Sequence, residues 1–341
     1  MLTVVIGGFF GDEGKGKICA YLSLADDVRV AVRTGSVNAG HTVVYMGKEY
    51  KLRIIPSAFV NLKARLLIAP GANLRTDVFW RELSVLSGFA VKERIGVDKH
   101  CSIIEPRHVD EEQRSEYLSK KIGSTKQGVG AAVRDRVMRI ARLAKDLEEL
   151  RDFIVDVPEI VHSALNKGLP VLIEGTQGTF LSLYHGTYPY VTSRDTTASA
   201  VCSEAGVGPK DVDEVVLVLK AYVTRVGAGP LEGELSPEEV AERGLVEYGT
   251  VTGRPRRVAL FNFELAKRAV MLNSATQIAL TRVDSLDPTC RSIRDYEKLS
   301  PNIRRFVEEI ENELNRPVSL ISTGPEVTDI IDRRKELGLL R

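Results

Sequence analysis

The chain has 341 residues, of which 43% are hydrophobic and 27% are charged, and its formal net charge at pH 7 is +1. This composition is typical of a folded protein and excludes intrinsic disorder, and the balanced charge argues against wholesale attraction to nucleic acid or to an acidic membrane. The 4 cysteines lie far apart without a metal-ligand spacing, and no signal peptide opens the sequence. We therefore expect a cytoplasmic protein with reduced thiols that binds neither nucleic acid nor a membrane.

Short apolar runs alternate with amphipathic segments along the chain. Strands are predicted at residues 2–6, 28–32, 66–69, 171–173, 215–219, 278–280 and 318–321. Helices are predicted at residues 76–86, 111–121, 134–150, 261–272 and 303–314. This alternation indicates an α/β fold in which helices flank a mainly parallel central sheet. Because no linker, repeat or long run of like charges divides the chain, we expect a single domain over residues 1–341.

The glycines gather in five clusters, where they alternate with polar residues. These clusters lie at residues 7–16, 35–40, 123–130, 175–186 and 227–253. Long polar loops that follow strands are the usual place for ligand binding in such a fold. We therefore expect these loops to form the functional surface.

The first cluster, residues 7–17, reads GGFFGDEGKGK and stands between the first strand and an apolar stretch. Such a turn offers backbone N–H groups and a helix N-terminus to phosphates, and its two lysines add positive charge. It is not a regular P-loop, because the glycines are one residue too far apart and Gly16 takes the place of the usual Ser or Thr. Since Asp12 adds a carboxylate, the cluster favours phosphate and metal binding over a plain tight turn with solvated charges.

The second cluster, TGSVNAGHT at residues 34–42, places His41 among small residues that let a ligand approach the backbone. A histidine there is able to donate a hydrogen bond to an oxyanion or a phosphate near neutral pH. A lone histidine is also commonly structural, so both roles stay open at this point. The other histidines show no ligand spacing, and none is assigned to a metal.

Together these motifs resemble the adenylosuccinate synthetase family. The resemblance is carried by GDEGKGK at 11–17, NAGHT at 38–42, EGTQGT at 174–179, HGTYPYVTS at 185–193, KAYVTRVG at 220–227 and TGRPRR at 252–257. It extends from residue 6 to about residue 325. The resemblance implies a P-loop-like GTP-binding fold with long functional loops.

The resemblance also implies a reaction, in which IMP, GTP and L-aspartate give adenylosuccinate, GDP and phosphate through 6-phosphoryl-IMP. Asp12 is implied to remove the N1 proton of IMP, and His41 is implied to stabilise the γ-phosphoryl group as it moves. One Mg²⁺ per subunit is implied at Asp12 and the carbonyl of Gly40, with phosphate oxygens as further ligands.

Binding residues for each substrate are implied by the same motifs. For GTP they are Gly11, Asp12, Glu13, Gly14, Lys15, Gly16, Lys17, Gly40, His41, Thr42, Arg256, Arg282, Val283, Asp284, Ser322, Thr323 and Gly324. For IMP they are Asp12, Glu13, Gly14, Lys15, Asn38, Ala39, Gly40, His41, Thr125, Arg139, Gln177, Thr192 and Arg254. For aspartate they are Thr250, Val251, Thr252, Gly253, Arg254, Pro255 and Arg256, in a segment that resembles the family's aspartate loop.

Three arginines stand within four residues at 254–257, and we expect them to have no acidic neighbour nearby to pair with. Guanidinium groups suit the carboxylates of aspartate and the phosphates, with Arg254 implied toward IMP and Arg256 toward GTP. A basic nucleic-acid patch is the alternative, but no aromatic residues are interleaved to support it.

Two further predictions concern the nucleotide base and the assembly. Asp284 follows a strand, and a carboxylate accepts from both N1–H and the exocyclic amine of guanine, whereas a surface aspartate is the alternative. Residues 322–324 are implied as the other wall of that pocket. Arg139 is implied to reach the IMP phosphate of a neighbouring subunit, which implies a homodimer, although a solvated helix charge is the alternative.

Other functions that a glycine-rich turn suggests fit less well. A guanine-nucleotide switch needs a Ser or Thr where Gly16 stands, and a nicotinamide dehydrogenase needs an acidic residue where the second strand ends in Arg33. The chain also departs from the family: Phe9-Phe10 replaces Gln-Trp, Arg282 replaces Lys, and Pro255 replaces an arginine of some members. It is shorter than the usual member, with the missing length between the motifs.

Overall fold

The structure is a computed structural model that describes residues 1–249, 253 and 255–340. The strands are β1 (Leu2–Gly7), β2 (Val30–Arg33), β3 (His41–Tyr45), β4 (Lys48–Leu52), β5 (Arg65–Ile68), β6 (Asn73–Leu74), β7 (Ile95–Asp98), β8 (Ser102–Ile103), β9 (Ile154–Val155), β10 (Val171–Glu174), β11 (Glu214–Lys220), β12 (Val223–Arg225), β13 (Arg257–Ala259), β14 (Gln277–Thr281), β15 (Val318–Ser322) and β16 (Ile330–Asp332). The helices are α1 (Lys15–Ala25), α2 (Thr76–Val85), α3 (Pro106–Arg114), α4 (Val129–Val137), α5 (Val157–Asn166), α6 (Ala198–Ala205), α7 (Pro237–Glu242), α8 (Phe263–Asn273), α9 (Val283–Leu286) and α10 (Pro301–Leu314). A π-helical turn at Tyr117–Ile122 and several 3₁₀ turns lie between them.

A central sheet of 10 strands has the order β16-β15-β14-β11-β1-β10-β2-β5-β7-β9. Neighbouring strands run parallel, except that β16 is antiparallel to β15. Helices such as α1, α5, α6 and α8 pack against its strands. The predicted α/β fold with a mainly parallel sheet is thus confirmed.

Strand β1 lies at the centre of the sheet and is buried along its whole length. Its residue Val4 is in register with Ile173 of β10 and with Val215 of β11. Strands covered on both faces are apolar throughout, which explains the unbroken apolar run at the start of the chain. Because the strands around β1 are parallel, the loops that follow them meet at one edge of the sheet. Three of the five glycine clusters, at residues 7–16, 35–40 and 175–186, directly follow β1, β2 and β10.

The seven predicted strands are all present, each within two residues of its predicted ends. Three predicted helices, 76–86, 261–272 and 303–314, are confirmed with the same accuracy as α2, α8 and α10. The antiparallel pair β3–β4 and the strand β7 were not predicted. The pair β3–β4 matters for the site, since His41 is the first residue of β3.

Two predicted helices are wrong. Helix 111–121 is interrupted because α3 ends at Arg114, where Ser115 turns to an extended conformation and its hydroxyl accepts from the backbone of Leu118. Helix 134–150 stops at Val137, since the following chain pairs with a neighbouring segment: Ile103 N donates to Arg142 O at 2.9 Å. Later apolar residues of the predicted helix lie in 3₁₀ turns instead of a continued α-helix.

One cluster of buried hydrophobic residues extends from Leu2 to Ile331. This continuous core supports the prediction of a single domain over residues 1–341, which stays a prediction. In the part of the chain that the structure describes, no helix has both the length and the apolar character needed to cross a bilayer.

Candidate active site

A cavity of about 1130 Å³ opens at the edge of the sheet where the glycine-rich loops meet. Of the predicted site residues, its wall contains Gly11, Asp12, Gly14, Lys15, Gly16, Lys17, Asn38, Ala39, Gly40, His41, Thr42, Thr125, Gln177, Thr192, Gly253, Arg256, Arg282, Ser322 and Gly324. Glu13, Arg139, Pro255, Val283, Asp284 and Thr323 lie outside the wall. Thr250, Val251, Thr252 and Arg254 fall outside the described residues. The volume exceeds that of a usual single-ligand pocket, so the cavity has room for more than one substrate.

The first glycine-rich loop leads from β1 directly into α1, which begins at Lys15. Gly14 precedes it with φ +91°, in the left-handed region that favours glycine. The N-terminal residues of α1 line the cavity. Backbone N–H groups at a helix N-terminus form a ready anion site, as the sequence predicts.

Glu13 stabilises this loop from inside. Its buried carboxylate accepts from the backbone N–H groups of Phe9 at 3.0 Å and Gly11 at 2.8 Å, and from Lys15 Nζ at 2.6 Å. The predicted contact of Glu13 with GTP and IMP stays a prediction. The charge of Lys15 is balanced within the loop by this ion pair.

Lys17 joins the first loop to the C-terminal part of the sheet. Its buried Nζ donates to Ser322 Oγ at 2.8 Å, to Gly324 O at 2.5 Å and to Asp329 O at 2.8 Å. Burial lowers the pKa of Lys17 to about 7. The lysine therefore shapes the loop after β15, and its predicted contact with GTP stays a prediction.

His41 belongs to a buried network that we call the Glu174 cluster, made of Glu174, Arg33, His41 and Ser57. Glu174 Oε1 lies 2.5 Å from both Arg33 Nη1 and His41 Nδ1 and accepts from Ser57 Oγ at 2.6 Å. Its Oε2 accepts from the backbone N–H of Ser57 at 2.7 Å. His41 Nε2 is buried and has no partner among the described residues. The ring lines the cavity, whereas Glu174 does not.

Two pKa shifts follow from this arrangement. Burial and the charge of Arg33 lower the pKa of His41 to about 3, although Glu174 opposes them. Burial alone would raise the pKa of Glu174, but Arg33 and the hydrogen bond from His41 lower it to about 2. Without substrates, the cluster therefore holds an ionised Glu174 beside a neutral imidazole at neutral pH.

A second network, the Glu247 cluster, is made of Glu247, Lys220, Tyr222, Arg256 and Arg282. Lys220 Nζ donates to Glu247 Oε2 at 2.6 Å, and Arg256 Nη1 donates to the same oxygen. Arg282 Nη2 donates to Oε1 at 2.8 Å, and the Tyr222 hydroxyl also donates to Oε1. Burial lowers the pKa of Lys220 to about 8 against the pull of Glu247. The three cationic residues of the cluster, Lys220, Arg256 and Arg282, line the cavity together with Glu247.

Arg256 also connects this cluster to the glycine-rich loop. Its Nε lies 3.0 Å from Asp12 Oδ2. Burial raises the pKa of Asp12, and the charge of Arg256 opposes that shift. The expectation that the arginines at 254–257 have no acidic neighbour is therefore wrong: Arg256 pairs with Asp12 and Glu247, and Arg257 pairs with Glu234. These partners lie 9 or more residues away in sequence, so local sequence does not show them.

Three predicted IMP residues come together from three loops, and we call them the Gln177 group (Asn38, Gln177 and Thr192). Gln177 Nε2 donates to Thr192 Oγ1 at 2.9 Å and to Asn38 Oδ1 at 3.4 Å. Asn38 Nδ2 donates to Thr192 Oγ1 at 3.4 Å. Amide and hydroxyl groups are able to bind a ribose, a phosphate or a base edge. Gly11 of the first loop lies against Gln177.

The predicted guanine pocket lies beside the cavity. Asp284 is half-buried in α9, and its Oδ1 is buried without a partner among the described residues. Val283 packs into the core, and Thr323 Oγ1 donates to Ile293 O at 2.7 Å. Ser322, Gly324 and Arg282 line the cavity wall nearby.

Arg139 lies at the surface, not on a helix as predicted but two residues after α4, with φ +65°. Its side chain does not line the cavity of its own chain. Three large apolar side chains flank it and are exposed: Val137 at 71%, Met138 at 64% and Ile140 at 66%.

Sequence reasoning missed the roles of Glu174, Glu247, Lys220 and Tyr222. A signal was available for two of them, since Glu174 ends β10 and Lys220 ends β11. A charged residue that ends a buried parallel strand lies at the ligand edge of the sheet. Glu247 had no such signal, because it stands in an irregular segment.

A doubly flanked parallel sheet, a glycine-rich loop at a helix N-terminus and a cavity lined by cations and amides define a nucleotide-binding α/β enzyme. The family model described as adenylosuccinate synthetase matches residues 4–149 and 140–291. The adenylosuccinate synthetase of Archaeoglobus fulgidus is 51% identical over 335 residues, a match that covers 98% of each chain.

Solved structures agree with this match. The fully ligated adenylosuccinate synthetase of Plasmodium falciparum superposes with a TM-score of 0.90 at 25% identity, covering 97% of this chain and 99% of the other. The succinoaminodeoxyadenylate synthetase of cyanophage S-2L, solved with dGMP and with dATP as an energy donor, gives a TM-score of 0.77 at 26% identity, covering 99% and 97%.

The chain belongs to the adenylosuccinate synthetase family. It is a GTP-dependent ligase of purine biosynthesis that joins L-aspartate to IMP and forms adenylosuccinate, GDP and phosphate. The resemblance that the motifs indicated is thus confirmed. The A. fulgidus relative is matched over 98% of its own length, so the shortness of the chain is shared with that relative.

Proposed function

We propose that IMP and GTP bind on either side of the glycine-rich loop, with Asp12 and His41 at the reacting centre. The observation that carries this proposal is the position of the loop between two groups. Gly11 lies against Gln177 of the Gln177 group, and Asp12 pairs with Arg256 of the Glu247 cluster. IMP would take the side of the Gln177 group, and the phosphates of GTP would take the side of Arg256.

Within this arrangement Asp12 removes the N1 proton of IMP, which makes the 6-oxygen nucleophilic. His41 lines the cavity, and its Nε2, which has no partner among the described residues, stabilises charge as the γ-phosphoryl group moves. Asp12 is paired with Arg256 in this structure, so the arginine has to turn to the phosphates before Asp12 acts. This exchange of partners by Arg256 would couple the arrival of GTP to the freeing of Asp12 as the general base.

Asp12 and Gly40 both line the cavity, and their oxygen atoms are of the kind that Mg²⁺ prefers. Asp12 and the carbonyl of Gly40 would hold it, and the ion supplies neutralisation of phosphate charge when bound. The described residues contain no cluster of three or more metal-ligating side chains. A single carboxylate is nonetheless the normal protein contribution to a Mg²⁺ site that phosphates and waters complete.

Guanine is read by Asp284, whose buried Oδ1 lacks a partner among the described residues. A buried acceptor without a donor is costly unless a ligand supplies one. Asp284→Asn is expected to lower kcat/KM for GTP, which corresponds to a loss of about 2–4 kcal/mol in transition-state stabilisation. The same variant should use xanthosine triphosphate better than the wild type does. Asp287→Asn, at a capping position in the same segment, serves as the control, and an unchanged preference for GTP in Asp284→Asn would show that guanine is read elsewhere.

Aspartate binds the segment 250–256, with Arg254 toward IMP and Arg256 toward GTP. In support, Gly253 and Arg256 line the cavity beside the first loop. Guanidinium groups match the two carboxylates of the substrate.

The protein acts as a homodimer in which Arg139 reaches the IMP of the neighbouring subunit. The exposed apolar residues around Arg139 support an interface there. Arg139→Leu mixed with Asp12→Asn should recover up to about a quarter of wild-type activity per subunit, because one site of each mixed dimer is intact. No recovery after verified subunit exchange would contradict the shared site. We place the protein in the cytoplasm, consistent with 4 free cysteines.

The assigned chemistry is tested by following adenylosuccinate formation by absorbance while IMP, GTP, aspartate and Mg²⁺ are each omitted. Product should form only with all four present. Asp12→Asn should keep the fold and lower turnover by about 10²-fold or more. Asp27→Asn is the matched control, since Asp27 is exposed and also has a positive φ. A tenth of wild-type turnover in Asp12→Asn would contradict the role of Asp12.

A further inference from the structure

Glu174 contacts His41 at Nδ1 and does not itself line the cavity, whereas His41 does. It is fully buried at the end of β10, and its Oε1 is 2.5 Å from His41 Nδ1. On the opposite edge of the ring, His41 Nε2 is buried and has no partner among the described residues. The imidazole is thus held at Nδ1, while Nε2 is left for a ligand, and His41 lines the cavity.

The position of one proton follows from these contacts. A carboxylate oxygen and a bare ring nitrogen would repel each other at 2.5 Å, so the proton sits on Nδ1 and is donated to Glu174. Arg33 Nη1 lies 2.8 Å from the same nitrogen, but a guanidinium only donates, and its own acceptor is Glu174 Oε1 at 2.5 Å. Arg33 and His41 therefore both donate to the carboxylate of Glu174.

Ring orientation is fixed by the same contact. A half-turn of the imidazole would place a carbon against Glu174 and would put another carbon where Nε2 now lies. Ser57 prevents the carboxylate from following such a turn, because its backbone N–H and its hydroxyl bind both oxygens. Glu174 is therefore itself held from a third element.

We propose that Glu174 is a positioning residue for the reaction: by accepting Nδ1–H it holds His41 with Nε2 toward the reacting phosphoryl group. Glu174 touches no substrate, because it does not line the cavity. The inference rests on the role proposed above for His41. Behind metal-bound histidines, loss of the hydrogen-bond partner costs about 10–100-fold in metal affinity or activity, and we expect a loss of the same order here.

Glu82 offers a matched comparison within the same chain. It is also a buried carboxylate, and it accepts backbone N–H groups from Arg53 at 2.5 Å, Ile54 at 3.2 Å and Ile55 at 2.9 Å. None of these residues lines the cavity. Glu82→Gln therefore measures what the loss of a buried, hydrogen-bonded carboxylate does to the fold alone.

The test compares Glu174→Gln, Glu82→Gln, His41→Asn and the double variant Glu174→Gln/His41→Asn. Glu174→Gln should lower kcat about 10–100-fold and leave the KM values for IMP and GTP within about threefold. Because Glu174 acts through His41, the double variant should be no slower than His41→Asn alone. Glu82→Gln should lower Tm with kcat unchanged. Wild-type kcat in Glu174→Gln, or multiplied losses in the double variant, would overturn the proposal.

Glu174→Asp covers the case in which Glu174→Gln does not fold, because it keeps a charge for Arg33 but shortens the reach to His41. It should keep most of the thermal stability and still lose kcat about tenfold. Full kcat in Glu174→Asp would contradict the positioning role.

A spectroscopic measurement separates this inference from the proposed function. In ¹⁵N-labelled protein without substrates, the His41 ring should show a protonated Nδ1 in strong hydrogen bonding, and the signal should disappear in Glu174→Asp. A His41 ring protonated at Nε2 alone would overturn the inference whatever the activity. If the wild type shows the Nδ1 signal but forms no adenylosuccinate, only the proposed function fails.

Discussion

The Glu174 cluster and the Glu247 cluster use the same chemistry in different surroundings. Each gathers donors, at least one of them cationic, around one carboxylate, but the side chains of Arg33 and Glu174 are completely enclosed, whereas that of Arg282 is 46% exposed. Arg256 of the Glu247 cluster also has a second acceptor in Asp12. An enclosed ion pair has no alternative partner and keeps its geometry, while one at a cavity wall is able to exchange partners with a ligand. This difference matches the roles proposed above, in which the first cluster positions a side chain and the second receives substrates.

The largest effect should come from breaking the enclosed cluster. Arg33→Met leaves Glu174 buried without its cation, and we expect a loss of about 3–5 kcal/mol in the free energy of unfolding. Urea unfolding followed by circular dichroism measures the loss. Adding Glu174→Gln to Arg33→Met should recover part of the stability, because the uncompensated charge is then gone. A loss below about 1 kcal/mol would contradict the enclosure of this cluster.

The corresponding change at the cavity wall should affect activity rather than folding. In Arg256→Met, Glu247 keeps Lys220, Tyr222 and Arg282 as donors, so the free energy of unfolding should change by less than about 1 kcal/mol. We expect kcat/KM for GTP to fall about 10²-fold, because a donor to the phosphates is lost. Steady-state kinetics and urea unfolding of the same preparation decide. A stability loss equal to that of Arg33→Met would remove the distinction between the clusters.

The dependence of stability on pH should show that the carboxylate of Glu174 is enclosed. The pKa of Glu174 is lowered from the ordinary 4.5 to about 2, so the ionised form stabilises the fold above pH 4.5 and this stabilisation is lost as the pH falls toward 2. Between pH 5 and pH 3 the wild type should lose about 2 kcal/mol more than Glu174→Gln. Urea unfolding at the two pH values measures it. Equal losses in both proteins would mean that Glu174 titrates normally in the fold.

The smallest effect is expected for a surface pair of the same arginine-rich segment. Glu234 and Arg257 are paired with side chains 37% and 32% exposed. Glu234→Gln should cost about 0.5 kcal/mol in unfolding and leave kcat within twofold. A larger change in kcat would mean that the surface pair Glu234–Arg257 affects the geometry of the cavity.

Much of the fold and of the cavity wall was predictable, because both depend on local pattern. The apolar run of β1 and the glycine-rich turn after it are recognisable at short range, and so is the phosphate chemistry that they imply. Helix 134–150 was wrong because its apolar spacing is satisfied by 3₁₀ turns, while Arg142 bonds to a strand some 40 residues earlier in the chain. That competition is set by tertiary pairing.

The residues behind the cavity wall were less accessible to prediction for the same reason. Glu174 meets His41 across 133 residues of sequence, and Arg33 meets Glu174 across 141. The contact of Arg33 with Glu174 follows from the register of β2 against β10, which no local pattern specifies, and His41 reaches Glu174 from the separate pair β3–β4. The arginines at 254–257 looked unpaired because their acceptors are brought in by folding.

The central place of β1 has a consequence for the synthesis of the protein. Strand β1 leaves the ribosome before its neighbours β10 and β11, which end at residues 174 and 220, and it has to wait for them. At about 5–20 residues per second, some 10–40 s pass before both are available. During that interval the uncharged segment Leu2–Ile6 has no strand to pair with, and short apolar β-forming segments of this kind aggregate readily. Production of the chain should therefore depend on a chaperone or a low rate of synthesis that keeps β1 covered until β10 and β11 emerge.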